Sequence, residues 1–210
     1  MSKNIRLEER DFLILNLVHK FKFCLGRHIK VLARFNGTRS ADRRLKILVE
    51  SGYLTRKKYL YGIPYLYTLS HKGRILLGTN KRENKIRLDK ITHDIYVIDT
   101  LIYFIEVKDI SLKDIESERE LHIKDGFGAR KHQPDFVANI NGERYAVEIE
   151  LHPKEKSRLE NNIRGNYLNF DYQIWITDDN RVLALLKDFQ NEYSNIEIIN
   201  LKEVINYHKY

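Results

Sequence analysis

Phe12, Leu13, Leu15, Leu17 and Val18 recur at helical spacing and predict an amphipathic helix from Glu8 to Lys20. A second helix is expected from about Arg27 to Phe35, presenting Ile29, Val31 and Leu32, and the turn Asn36-Gly37-Thr38-Arg39 ends it. Ser40 is placed to cap a third helix, Ala41 to Glu50, with Leu45, Leu48 and Val49 on its buried side and Gly52 as its stop. The period then changes. Tyr53 to Leu60 and Pro64 to Leu69 read as the strands of a hairpin turning at Tyr61-Gly62, and Ser70-His71-Lys72-Gly73-Arg74 opens a short helix.

Thr79 to Lys90 is charged and poor in apolar residues, as in a linker. Beyond it, Ile95, Ile98, Leu101, Ile102 and Ile105 predict a helix over Ile91 to Ile105, with His93 near its start as a capping or buried, hydrogen-bonded histidine. Leu112 to His122 fits a strand or a helix. Phe136 to Ile140, the pair Asn141-Gly142 and the returning Glu143 to Val147 form a hairpin with the strongest two-residue turn signal. A helix from about Lys156 to Phe170, a buried strand Gln173 to Thr177, an apolar helical segment Val182 to Phe189 and a strand Ile196 to Ile199 follow. Strands alternating with helices in this later part predict a layered α/β domain around a mixed sheet. The whole is expected to be α+β, with a domain over 1–78, a linker over 79–90 and a second domain over 91–210.

Charge separates the two parts. Residues 1–78 hold 17 Lys and Arg against 5 Asp and Glu, whereas residues 79–210 hold 20 against 24. A basic first third suggests a polyanionic partner, with double-stranded DNA the leading candidate. A membrane-surface role would need an apolar helix face with no core to cover it, and here a core is available. No apolar run reaches the ~18 to 20 residues needed to cross a bilayer. Met1-Ser2-Lys3-Asn4 leads into a charged helix rather than a secretory signal, and the one cysteine, Cys24, rules out an internal disulfide framework. A cytoplasmic protein is expected. No Gly-rich phosphate loop is present, and Cys24 among apolar neighbours is a poor nucleophile.

The chemistry gathers around His132-Gln133-Pro134-Asp135-Phe136 and Val147-Glu148-Ile149-Glu150. The Asn141-Gly142 hairpin brings Asp135, at the start of one strand, beside Glu148, toward the end of the next. The period of two puts Glu148 and Glu150 on one face, with Val147 and Ile149 toward the core. Three such carboxylates suit a hard divalent cation, Mg2+ or Mn2+, held first by Asp135 and Glu148. Phosphodiester-cutting enzymes use such a site to polarise phosphate and activate water. Glu118 is a further catalytic candidate, in competition with Glu116 and Glu120. The competing reading of these acids is a solvated strand face.

The order helix, helix, basic helix, basic hairpin over about residues 5–78 resembles the winged helix-turn-helix family, and Tyr67-Thr68-Leu69-Ser70-His71-Lys72-Gly73 looks like its strand-to-helix junction after the wing. By that resemblance Arg39, Arg43, Arg44 and Lys46 would face the major groove, and Arg56, Lys57 and Lys58 would form a wing touching phosphate or the minor groove. Winged helices often form homodimers, but this chain has no heptad seam. The second domain resembles the PD-(D/E)XK, restriction-endonuclease-like superfamily, in which a lysine two residues after the second acid helps activate water. Glu150 occupies that place here, and Lys154 or Lys156, from the following segment, is the candidate substitute.

The joint order of winged helix, a helix opening near His93, the Pro134-Asp135 strand, Ala146 to Leu151, Lys154, Arg158-Leu159 and Tyr167 resembles the replication-relaxation family of plasmids and related mobile elements. That resemblance implies a role in DNA relaxation, conjugative transfer (mobilization) or replication initiation as a relaxosome accessory, with a relaxase or replication protein as partner. Lys154, Lys156, Arg158 and Arg164 would then add phosphate contacts. A metal-dependent DNA endonuclease and a winged-helix transcriptional regulator are the alternatives.

Overall fold

A computed structural model describes residues 5–79, 85–126 and 132–207. Met1 to Asn4 and part of the expected linker, 80–84, therefore lie outside the described residues. The protein is mixed α and β and divides into two compact units, Met1–Ile98 and Asp99–Tyr210. No helix among the described residues is long and apolar enough to cross a membrane.

The first unit begins with α1 (Glu9–Lys20), whose Ile14, Leu15, Leu17 and Val18 are buried. A two-residue strand, β1 (Cys24–Leu25), leads into α2 (Gly26–Leu32), and α3 (Thr38–Glu50) follows. The third helix starts three residues earlier than the sequence pattern predicts. Gly37 is its N-cap, and Ser40 instead lies in the first turn, where its hydroxyl donates to the Gly37 carbonyl at 2.7 Å. Gly52, at φ +76°, closes the helix as expected, and the next amide, Tyr53 N–H, turns back to the Leu48 carbonyl at 2.9 Å.

Strands β2 (Leu54–Lys57) and β3 (Leu66–Leu69) pair antiparallel, Leu54 opposite Leu69 and Lys57 opposite Leu66. They are shorter than expected because Tyr59, Leu60 and Ile63 leave the ladder to pack on Phe23, Leu25, Leu66, Ile91 and Ile95. Cys24 and Leu25 pair with Tyr67 and Leu66, giving a three-stranded sheet of order β1-β3-β2. Two residues carry too little periodicity to announce β1. Cys24 is fully buried, and burial pushes its thiol far above the ordinary value, which removes it as a nucleophile.

Helix α4 (His71–Leu76) is capped by Ser70, whose hydroxyl accepts from the Gly73 amide at 3.0 Å. Gly73 is required by space. A Cβ there would stand 2.3 Å from the Tyr53 carbonyl oxygen, a backbone atom that cannot rotate away. Gly73→Ala is expected to destabilise this unit by about 2 kcal/mol through overpacking. An unchanged first transition in urea unfolding of the full chain would refute this.

Helix α5 (Ile91–Val107) contains the boundary between the units. In the second unit the ambiguous stretch after Leu112 resolves into both alternatives, a short strand β4 (Ile115–Ser117) and a helix α6 (Glu118–Asp125). The hairpin of β5 (Phe136–Ile140) and β6 (Glu143–Ile149) turns at Asn141 and Gly142, both left-handed at φ +55° and +88°, as the dipeptide demands. Then come α7 (Lys156–Asn169), β7 (Tyr172–Thr177), α8 (Asn180–Phe189), β8 (Ile196–Asn200) and α9 (Leu201–Tyr207), the last not expected from sequence.

The five-stranded sheet has the order β4-β5-β6-β7-β8. Strands β4, β5 and β6 pair antiparallel with one another in turn, and β6, β7 and β8 run parallel. On one face Trp175 packs with Leu159 and Ile163 of α7 and Val182, Leu186 and Phe189 of α8. On the other, Phe104 of α5 meets the Phe136 ring edge-on at 5.8 Å. Strand β6 is thus central and covered on both sides. Every residue from Ala146 to Glu150 is buried, which excludes the solvated-face reading of Glu148 and Glu150.

Candidate functional site

The carboxylate cluster forms where β5 begins and β6 ends. Phe136 pairs with Val147, so Asp135 and Glu148 fall on neighbouring strands at one level, as the hairpin predicts. The Asp135 carboxylate accepts the Ile149 amide at 2.8 Å. Glu148 is 4 % exposed, and its Oε1 lies 2.5 Å from His132 Nε2 and accepts from Asn166 Nδ2 of α7 at 3.1 Å. Glu150 lies just past β6, its amide bonded to the Ile176 carbonyl at 2.9 Å and its carboxylate paired with Lys154 Nζ. Of the two candidate lysines, Lys154 reaches the cluster. Lys156 instead sits 6.0 Å above the Phe189 ring.

The three acids Glu116, Glu118 and Glu120 are held in different ways. Glu120 closes a capping box by accepting the Ser117 amide and hydroxyl, each at 2.8 Å. Glu116 pairs with Lys124 and, at 3.6 Å, with Arg144. Glu118 begins α6 beside the cluster, its amide donating to the Asp135 carbonyl at 3.1 Å, but its carboxylate runs along the helix to His122 at 3.8 Å.

Burial acts against charge at Glu148. It pushes the carboxyl pKa up; the His132 bond opposes the rise, the Asp135 charge adds to it, and the balance stays above the ordinary value. At His132 burial works to lower the pKa, but the bond to Glu148 and the nearby carboxylates outweigh it, and the imidazole is raised despite Lys154. The result is a hydrogen-bonded His–Glu pair flanked by a Lys–Glu pair. Each acid is already engaged by a protein donor. Among the described residues no three His, Cys, Asp or Glu side chains come together as a metal-ion ligand set, and Asp135 and Glu148 stand as two carboxylates on adjacent strands.

His132 opens the motif that the sequence points to but carries no role there, and Asn166 was not singled out by sequence. The available signal for Asn166 was its helix: Asn161, Asn162, Gly165, Asn166 and Asn169 are poor helix formers for a solvated face, and Asn162 and Asn166 are in fact buried.

The basic residues of the first unit behave differently from one another. Arg39, Arg43, Lys46, Arg56, Lys57 and Lys58 are exposed. Lys46 reaches Glu50 at 3.8 Å along the helix, a weak surface pair. Arg44 faces inward. Its Nε donates to Asp11 Oδ1 at 2.7 Å, a second nitrogen pairs with Oδ2 of the same residue, and a further bond reaches the Arg6 carbonyl at 3.2 Å. Asp11 is fully buried. Arg44 therefore ties α3 to the start of α1 rather than presenting its charge outward with Arg43. In the second unit Arg158 and Arg164 are exposed on α7.

No protein-family model matches this chain, and no curated protein matches it in sequence. Support for a function therefore comes from the placement of the chain's own residues.

Proposed function

We propose that this protein binds double-stranded DNA through its first unit and serves a plasmid or other mobile element as an accessory in DNA relaxation, conjugative transfer or replication initiation. The observation that carries the DNA reading is the set of exposed cations on α3 and the β2–β3 hairpin. Arg39 and Arg43 on the helix, and Arg56, Lys57 and Lys58 on the hairpin, pair with no carboxylate among the described residues. Three helices followed by a hairpin, with an edge strand completing a sheet of order β1-β3-β2, support a winged helix. In that arrangement α3 enters the major groove and the hairpin follows the backbone.

For the second unit, a helix, a three-stranded antiparallel meander, a crossover helix and a parallel strand support kinship with the PD-(D/E)XK fold. The accessory role is favoured over hydrolysis because Glu148, Asp135 and Glu150 are each held by His132 and Asn166, by the Ile149 amide and by Lys154. Here the unit serves as a docking body for the DNA backbone or a relaxase, with Arg158 and Arg164 as its outward cations.

The test is fluorescence anisotropy of the full chain on duplex DNA across salt, run beside incubation of supercoiled plasmid carrying a transfer origin with Mg2+ or Mn2+. Neutralising about five phosphates predicts a log–log salt slope near −4.5, reduced by about one in Arg43→Ala or Lys57→Ala. Binding that ignores salt and both substitutions would overturn the DNA reading. Metal-dependent nicking lost in Asp135→Ala and Glu148→Ala would replace the accessory role with an endonuclease. Tight binding to one operator, with no effect on plasmid topology or transfer, would favour a transcriptional regulator.

A further inference from the structure

The loop between β2 and β3 sorts its side chains sharply. Tyr59, Leu60 and Ile63 turn inward onto Phe23, Leu25 and Leu66, anchoring both arms of the loop to the core. Tyr61, between them, is 99 % exposed at a turn completed by Gly62 at φ +80°. The anchored arms hold this ring out into water. Cations accompany the aromatic residues along the hairpin: Lys58 Nζ lies 5.6 Å from the Tyr61 ring centre, Lys57 Nζ 5.1 Å from Tyr59, and the Arg56 guanidinium 3.9 Å from Tyr65. Tyr65 is itself 44 % exposed.

Phosphate contact alone would call for the cations and not for a projecting ring. Interleaved rings and cations are what binding to unstacked nucleic acid requires, since the cations track phosphates while a ring stacks on a base of any sequence. In an intact duplex both faces of each base are already covered by its neighbours. We propose that the hairpin tip recognises unpaired or locally opened DNA, with Tyr61 stacking on an exposed base and Arg56, Lys57 and Lys58 holding the flanking phosphates. This deepens the DNA-binding reading of the first unit and rests on it. It gives the protein a preference for melted DNA over plain duplex.

Anisotropy with the full chain would use one sequence in three forms: duplex, duplex with a central unpaired bubble, and single strand. The wild type should bind the bubble more tightly than the duplex. Tyr61→Ala should weaken bubble and single-strand binding on the order of tenfold while changing duplex binding by less than about twofold, as expected for one lost stacking contact. Tyr61→Phe should retain wild-type affinity, and Lys58→Ala should reduce the salt slope on all three forms by about one. Because Tyr61 touches no core residue, circular dichroism should show every variant folded. Equal affinity of wild type and Tyr61→Ala on all three forms would overturn the stacking proposal and leave the cationic surface intact. A wild type that binds none of the three would overturn the DNA reading itself.

Discussion

Arg44→Ala should destabilise the unit Met1–Ile98 by about 2–4 kcal/mol, because it leaves the buried Asp11 carboxylate without its cation. Asp11 would keep the Glu8 amide, at 2.8 Å, as a donor at the start of α1. Arg43→Ala, one residue away and exposed, should change stability by less than about 0.5 kcal/mol and weaken DNA binding instead. Urea unfolding and anisotropy on the same preparations separate the two effects. An Arg44→Ala protein that unfolds like the wild type but binds DNA poorly would return Arg44 to the DNA-facing surface.

The second large effect concerns pH. His132 and Glu148 both have folded pKa values raised above their ordinary 6.5 and 4.5, so the folded chain holds more protons than the unfolded chain. Stability from the pair is therefore full below those ordinary values and falls as pH rises through the raised ones. The second unit of the wild type should melt at progressively lower temperature from about pH 6 to pH 8. Glu148→Gln removes the larger influence that raises His132 and leaves burial and the Lys154 charge, which lower it, against the smaller pull of Asp135, which raises it. For that group the sign reverses, and the variant should gain stability as pH rises through the neighbourhood of 6.5. Melting curves across this range, with an NMR titration of the His132 ring, provide the check. Parallel pH profiles for wild type and variant would show that the pair does not govern the stability of this unit.

Much of the candidate site was legible because short-range rules place it. The Asn141-Gly142 turn sets the register that brings Asp135 beside Glu148, and the period of two sets Glu148 and Glu150 on one face. Position 44 lies three residues after Ala41 and four before Leu48, on the buried stripe of α3, and Asp11 occupies the equivalent stripe of α1 with Ile14, Leu15 and Val18. Opposite charges on the inner faces of two helices mark an ion pair.

By itself the sequence determined the division into a basic and an acidic part, nearly every helix and strand, and the hairpin joining the two carboxylates, since these follow from local periodicity and turn chemistry. Only the tertiary structure decided which charges are partnered. Asp11 meets Arg44 across 33 positions, and Glu148 meets His132 and Asn166 across 16 and 18. The burial of Glu148 depends on β6 lying at the centre of the sheet, and that follows from β7 pairing with it in parallel after the α7 crossover. Such contacts depend on how distant elements stack, and no local pattern encodes the free energy of charges buried together.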